Sequence, residues 1–151
     1  MNAIRIPQGQ LLANITIMGK TPHPTITGEM QLQNGSVEFP RINVTLRNIN
    51  AHLSGQDNDA IFDATAYSLN QPIHIHGTLN LFHPNFAAQL ALTSNNTNIM
   101  NTEEYVVYVT SNLHIVILNN HVTITGNIII PKASITPNDY KPINTLPTDV
   151  V

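Results

Sequence analysis

Two histidines one residue apart, His74-x-His76, have the spacing in this sequence that most directly suggests chemistry. In an extended strand, residues i and i+2 share a face, so both imidazoles would project together and could hold Zn²⁺ if a neighbouring strand supplied a third ligand. His52 and His114 are the candidates for that ligand. Ile73 and Ile75 alternate with the pair, so the simpler reading, and the favoured one, is the polar side of a half-covered strand. Asp57, Asp59 and Asp63 approach a calcium-loop spacing but lack the central Gly and closing Glu of an EF-hand, and they read as turn residues. Ser, His and Asp occur in no nucleophile motif such as Gly-x-Ser-x-Gly. Glu103 and Glu104 are adjacent, so on a strand they point to opposite faces and cannot act as a pair. No enzymatic activity, no cofactor and no metal are expected.

Composition narrows the classes further. At 151 residues the chain is one domain by length, or a piece of a larger one. Apolar residues make up 42% and charged residues 10%, against roughly 25% charged in an average soluble domain. Its polar surface must therefore be built of Asn, Thr, Gln, Ser and His. A net charge of -3 with six Lys and Arg offers no basic patch for phosphate neutralisation, so nucleic acid is not an expected partner. Arg41 and Arg47 are the only arginines close together. With no Cys there is no disulfide framework, and with no Trp and few other aromatics there is no stacking platform. No apolar run approaches the ~18 residues of a membrane-spanning helix, and Met1-Asn2-Ala3-Ile4-Arg5 lacks the basic-then-apolar order of a signal peptide.

The elements that must position these residues are strands. Tyr105, Val107, Val109, then Leu113, Ile115, Ile117, then Val122, Ile124, Ile128, Ile130 keep a period of two, and Asn119-Asn120 suits a tight antiparallel hairpin between the last two runs. Upstream, Leu11 to Ile17 read as a strand closed by Gly19, and Thr21-Pro22-His23-Pro24 as a connection. Thr25 to Gln33 alternates and ends in Asn34-Gly35, the strongest short hairpin signal, with Ser36 to Phe39 as the return strand. Ile42, Val44, Leu46 and then Ile49, Ala51, Leu53 slip phase by one residue, which predicts a bulge or turn at Arg47-Asn48. Phe62, Ala64 and Ala66 continue the row. Gln71-Pro72 then leads to Ile73, Ile75, Gly77, Leu79 and Leu81, and the turn His83-Pro84-Asn85 to Phe86, Ala88, Leu90 and Leu92. Ser94 to Thr102 is Asn-rich and reads as a longer, mobile loop. A short last strand is expected near Ala133 to Thr136, followed by an irregular tail.

Helix spacing is absent and β-branched residues dominate, so the class is all-β. About ten short strands would suit a closed sandwich. An unbroken apolar face without a large aromatic plug suits better one long antiparallel sheet curled into a half-pipe, greasy on its concave side.

Several short motifs in order carry a family resemblance: Pro24-Thr25-Ile26-Thr27-Gly28, Leu32-Gln33-Asn34-Gly35, Glu104-Tyr105-Val106-Val107 with Ser111-Asn112-Leu113, and above all Val122 to Pro137, closing on Asp149-Val150-Val151. From about Ile15 onward the chain resembles the C-terminal domain of TamB, of the translocation and assembly module of Gram-negative bacteria.

That resemblance implies an AsmA-like, bridge-type lipid carrier. It implies a long periplasmic β-structure shaped like a taco shell, anchored in the inner membrane and meeting the outer-membrane barrel protein TamA, of which residues 1–151 would be a single piece without the anchor. The implied function is carriage of phospholipid acyl chains along a groove between the membranes during outer-membrane biogenesis. The groove-lining residues would be Phe39, Val44 and Leu46, then Ile75, Leu79 and Leu90, then Val107, Ile115, Ile117, Ile124 and Ile128. A scaffold or chaperone role, pairing open edge strands with an outer-membrane protein or a TamA-type barrel, is the alternative, and homo-oligomers through the open sheet ends are expected.

Overall fold

A computed structural model describes residues 8–20, 25–57, 59–80, 86–118 and 121–136. Eight strands follow one another: β1 (Gln10–Met18), β2 (Thr25–Phe39), β3 (Val44–Gln56), β4 (Asp59–Ser68), β5 (Gln71–Asn80), β6 (Ala87–Asn101), β7 (Tyr105–Leu118) and β8 (His121–Ile135). They form a single sheet in sequence order, and every neighbouring pair is antiparallel. A meander of this kind needs only hairpin connections. β1 and β8 are its edges.

The register sorts the side chains onto two faces. One row crosses all eight strands as Leu11, Leu32, Ala51, Ala64, Ile75, Leu92, Leu113 and Gly126. The next runs from Ala13 through Met30, Leu53, Phe62, Gly77 and Leu90 to Ile115 and Ile124. Both rows are apolar or small from edge to edge. The opposite face carries Glu29, Gln31, His52, Asp63, His74, His76, Asn112, His114 and Asn127. Residues of the apolar face are the more covered in β4 to β7, as expected of the concave side of a curled sheet.

No sandwich core exists among the described residues. Val44, Ala60, Ala88 and Val109 are the buried apolar side chains, and the largest side chains removed fully from solvent are Thr97 and Ser68. A sealed β-sandwich of this size would hide Leu, Ile and Phe instead. The sheet is open and curled.

Bulges bend it. β2 gains a residue against β3 beside Asn34, β3 gains one between Arg47 and Asn50, and β6 gains one between Ser94 and Thr97. Asn34, Asn48 and Asn96 occupy the left-handed region at φ 52°, 49° and 46°. The bulge expected at Arg47-Asn48 is therefore present. Asn34-Gly35, however, is no hairpin: β2 runs straight through it to Phe39, and the left-handed Asn makes a bulge rather than a turn. Ser94 to Thr102 is likewise mostly strand, its asparagines absorbed by irregularities within β6. The short last strand is the continuation of β8, which passes through Pro131. These mergers give eight long strands in place of about ten short ones.

Leu118 pairs with His121, so the hairpin expected between these runs is formed, although Asn119-Asn120 lie outside the described residues. Thr21 to Pro24, Leu81, the His83-Pro84-Asn85 turn and the tail from Pro137 lie outside them as well.

Glycine completes the curl where strands approach closely. A Cβ on Gly77 would overlap the carbonyl oxygen of Gln89 and lie 2.8 Å from Leu90 Cα. At Gly126, φ is 131° and a Cβ would overlap the Asn112 carbonyl oxygen. Only glycine fits either position.

Candidate functional site

The strand register places all eleven sequence-nominated wall residues on the concave face. Phe39 pairs with Val44 across β2 and β3, and Val37 with Leu46. Ile75 pairs with Leu92, Leu79 with Ala88, and Leu90 with Ile115. Val107 opposes Met100 on one side and Ala133 on the other, and Ile128 opposes Ser111. Ile115 and Ile117 continue the rows into Ile124 and Val122.

Coverage is uneven along these rows. In the middle strands the nominated residues are buried or half-buried, whereas every residue of β1 and β8 is exposed. Leu11 and Ile17 are 62% and 65% exposed at one end, Ile124 and Ile128 59% and 61% at the other. The apolar face thus runs through the sheet and opens at both edges. Seven strand spacings of about 4.8 Å give it a length of about 34 Å, greater than the ~15 Å depth of one leaflet of a bilayer core.

One rim carries a polar band that the alternation did not announce. Ser94 Oγ and Ser111 Oγ lie 2.7 Å apart, and Ser68 Oγ donates to the Asn98 carbonyl at 2.6 Å. Ser68, Thr97, Asn98 and Ser111 are buried. Asn98 Nδ2 donates to the carbonyls of Met100 and Val107, at 3.1 and 3.4 Å, which satisfies the irregular backbone of β6. Ser94 and Ser111 do fall in phase with the apolar rows, which is the one signal that would have found the band. Toward the opposite rim lies a cleft of about 700 Å³, lined by Gly55, Ala60, Leu79 and Ala88 with the polar Thr27, Gln56, Asp59 and Gln89.

The candidate metal ligands sit on the outer face. His76 pairs with Asp63, which pairs with His52, and His74 Nδ1 lies 3.3 Å from Thr65 Oγ1. Among the described residues, no three His, Cys, Asp or Glu side chains converge as a metal site. His52 Nε2 is 3.9 Å from Glu29 Oε2 instead. Asp57 adopts φ 53° in the turn between β3 and β4, and Asp59 accepts a hydrogen bond from Asn80 Nδ2 at 2.8 Å. Glu103 and Glu104 lie in the turn before β7, not paired across a cleft.

A further regularity escaped the sequence reading. Ile26-Thr27-Gly28, Ile75-His76-Gly77 and Ile124-Thr125-Gly126 recur at equal intervals, in β2, β5 and β8, and each glycine lies on the concave face. Every third strand carries the same device for close approach to its neighbour.

Among the described residues no helix is long and apolar enough to cross a membrane. A family model described as the TamB C-terminal domain matches residues 59–146, more than half of the chain and including β4 to β8. No curated protein and no solved structure matches the chain.

Proposed function

The chain belongs to the TamB C-terminal domain family, and from that premise we propose that it forms one length of a periplasmic groove carrying phospholipids between the inner and outer membranes during outer-membrane assembly. The observation behind this reading is the concave face itself, with apolar rows across eight strands yet covered by no second layer among the described residues. An acyl chain in water is unfavourable by about 0.8 kcal/mol per CH₂, and a trough of Ile, Leu, Val and Phe removes that cost while the headgroup stays wet. Apolar contact is non-directional, so neighbouring positions along a row are close in energy and a chain can slide from strand to strand. No catalytic group or cofactor enters this mechanism.

Native mass spectrometry of the purified chain, with lipid extraction as a check, tests it. Phospholipid should co-purify, and in smaller amount with Ile124→Glu, whose exposed position lets the fold survive. A lipid-free protein that stays lipid-free after incubation with phospholipid vesicles would refute the groove.

A second reading is favoured by the edges. From His121 to Ile130, β8 holds no Lys, Arg, Asp, Glu or Pro, so it lacks the usual protection of an exposed edge. A strand of an outer-membrane protein, of a TamA-type barrel or of a second copy of this chain could add there through main-chain hydrogen bonds. Thr123→Pro would weaken such pairing and leave lipid binding unchanged.

A further inference from the structure

The β4–β5 hairpin is shorter than its flanks. β4 and β5 have 10 residues each, β3 has 13 and β6 has 15. At the rim where the hairpin stops, β6 meets the β2–β3 turn directly: Asn101 N donates to the Ile42 carbonyl at 2.9 Å, and Asn43 Nδ2 to the Asn101 carbonyl at 2.6 Å. Below this bridge lies a cavity of about 280 Å³ whose walls include Val44, Arg47, Ser68, Asn70, Asn98 and Asn101.

The cavity draws its lining from both faces of the sheet. Val44 and Ser68 belong to the concave face, whereas Arg47, paired with Tyr67, belongs to the outer one. The extra residue of the β3 bulge follows Arg47 directly, with Asn48 left-handed, and bulges of this kind re-aim the adjacent side chain. Arg47 is exposed and takes part in none of the ion pairs among the described residues. The polar groups around it, Ser68, Asn43 and Asn98, already bond within the wall. Arg47 is thus a cation without an ion-pair partner among the described residues, lining a polar cavity at the rim of the apolar face.

We propose that this notch is a headgroup portal, in which Arg47 holds the phosphodiester of a phospholipid whose acyl chains lie in the groove; the proposal rests on the groove reading above. Guanidinium matches two phosphate oxygens at once, and at about 30 Å³ per water the cavity has room for roughly nine waters, the scale of a phosphate with its glycerol rather than of an acyl chain.

The test is equilibrium binding of two probes with identical fluorescent acyl chains, phosphatidylglycerol and diacylglycerol, to the whole chain and its variants. Wild-type protein should bind phosphatidylglycerol about tenfold more tightly, the scale of one charge-assisted hydrogen bond. Arg47→Gln should bring the two probes to parity without changing diacylglycerol binding. Asn70→Asp, which adds a carboxylate at the exposed turn beside Arg47, should weaken phosphatidylglycerol alone and provides an independent variant. A preference that is absent from wild type, or that survives both substitutions, overturns the portal and leaves the groove standing. Failure of both probes to bind wild type overturns the groove and the portal together. Inorganic phosphate that binds the lipid-free protein and erases the preference at the same concentration would make the notch a free-anion site and overturn the headgroup assignment.

Discussion

β7 and β8 are neighbours with the same alternation and opposite surroundings. Ile115 and Ile124 face each other across the pair, yet Ile115 is half-buried and Ile124 is 59% exposed. β7 has strands on both sides and lies within the curl, while among the described residues β8 pairs on one side only and is open on both faces. A period of two therefore identifies which side chains share a face and leaves open what covers that face. In a closed core the two isoleucines would be equally hidden. Their difference is that between the curled middle of an open sheet and its edge.

The largest effect that would sharpen this contrast is backbone crowding. Gly77→Ala, in the middle of the sheet, should destabilise by about 3 kcal/mol, because its Cβ meets the backbone of β6 and β5 is held from both sides. Gly126→Ala makes a similar overlap with β7, but the edge strand can shift away, so about 1 kcal/mol is expected. Urea unfolding midpoints separate the two, and equal losses would mean that the edge is as constrained as the middle. A smaller contrast uses the facing isoleucines. Ile115→Glu should cost about 2 kcal/mol by removing a half-buried apolar side chain, and Ile124→Glu less than about 0.5 kcal/mol. Thermal unfolding of both variants would break the comparison if Ile124→Glu proved the more damaging.

The faces were legible in the sequence because alternation is a property of the strand backbone itself. Every nominated wall residue, from Phe39 to Ile128, shares one side of the sheet. Strand boundaries were less legible, and the asparagines explain why. The tolerance for positive φ that makes Asn34-Gly35 a hairpin signal also makes it a bulge signal, and the choice depends on whether the next strand is long enough to pair with both halves. β3 is: it pairs with Leu32 and with Val37, so β2 continues. The phase slip at Asn48 was readable because apolar residues lie on both sides of it, whereas Ser94 to Thr102 has too few apolar residues to reveal its phase. The polar band shows in the sequence only where Ser94 and Ser111 fall in phase with the apolar rows, and the cavity beside Arg47 does not show at all, since it arises from hairpins of unequal length meeting in space.

The smallest expected effect concerns how the middle and the edge tolerate their bulges. In the middle, Asn50 serves two strands: its Oδ1 accepts from Asn34 N at 3.0 Å and its Nδ2 donates to the Asn48 carbonyl at 3.1 Å. At the edge, the irregularity of β8 against Tyr108 and Thr110 spans Ile130 and Pro131, and the proline has no N–H to satisfy. Asn50→Ala should therefore cost about 1 kcal/mol, since both bonds are exposed and each is worth a fraction of a buried one. Asn50→Asp keeps the acceptor and loses the donor, so it should cost about half as much. Hydrogen exchange at the Asn34 amide gives the sharper reading. If β2 bulges at Asn34, Asn50→Ala speeds exchange there and Asn50→Asp does not; if the pair were a free hairpin turn, neither substitution on β3 would reach it.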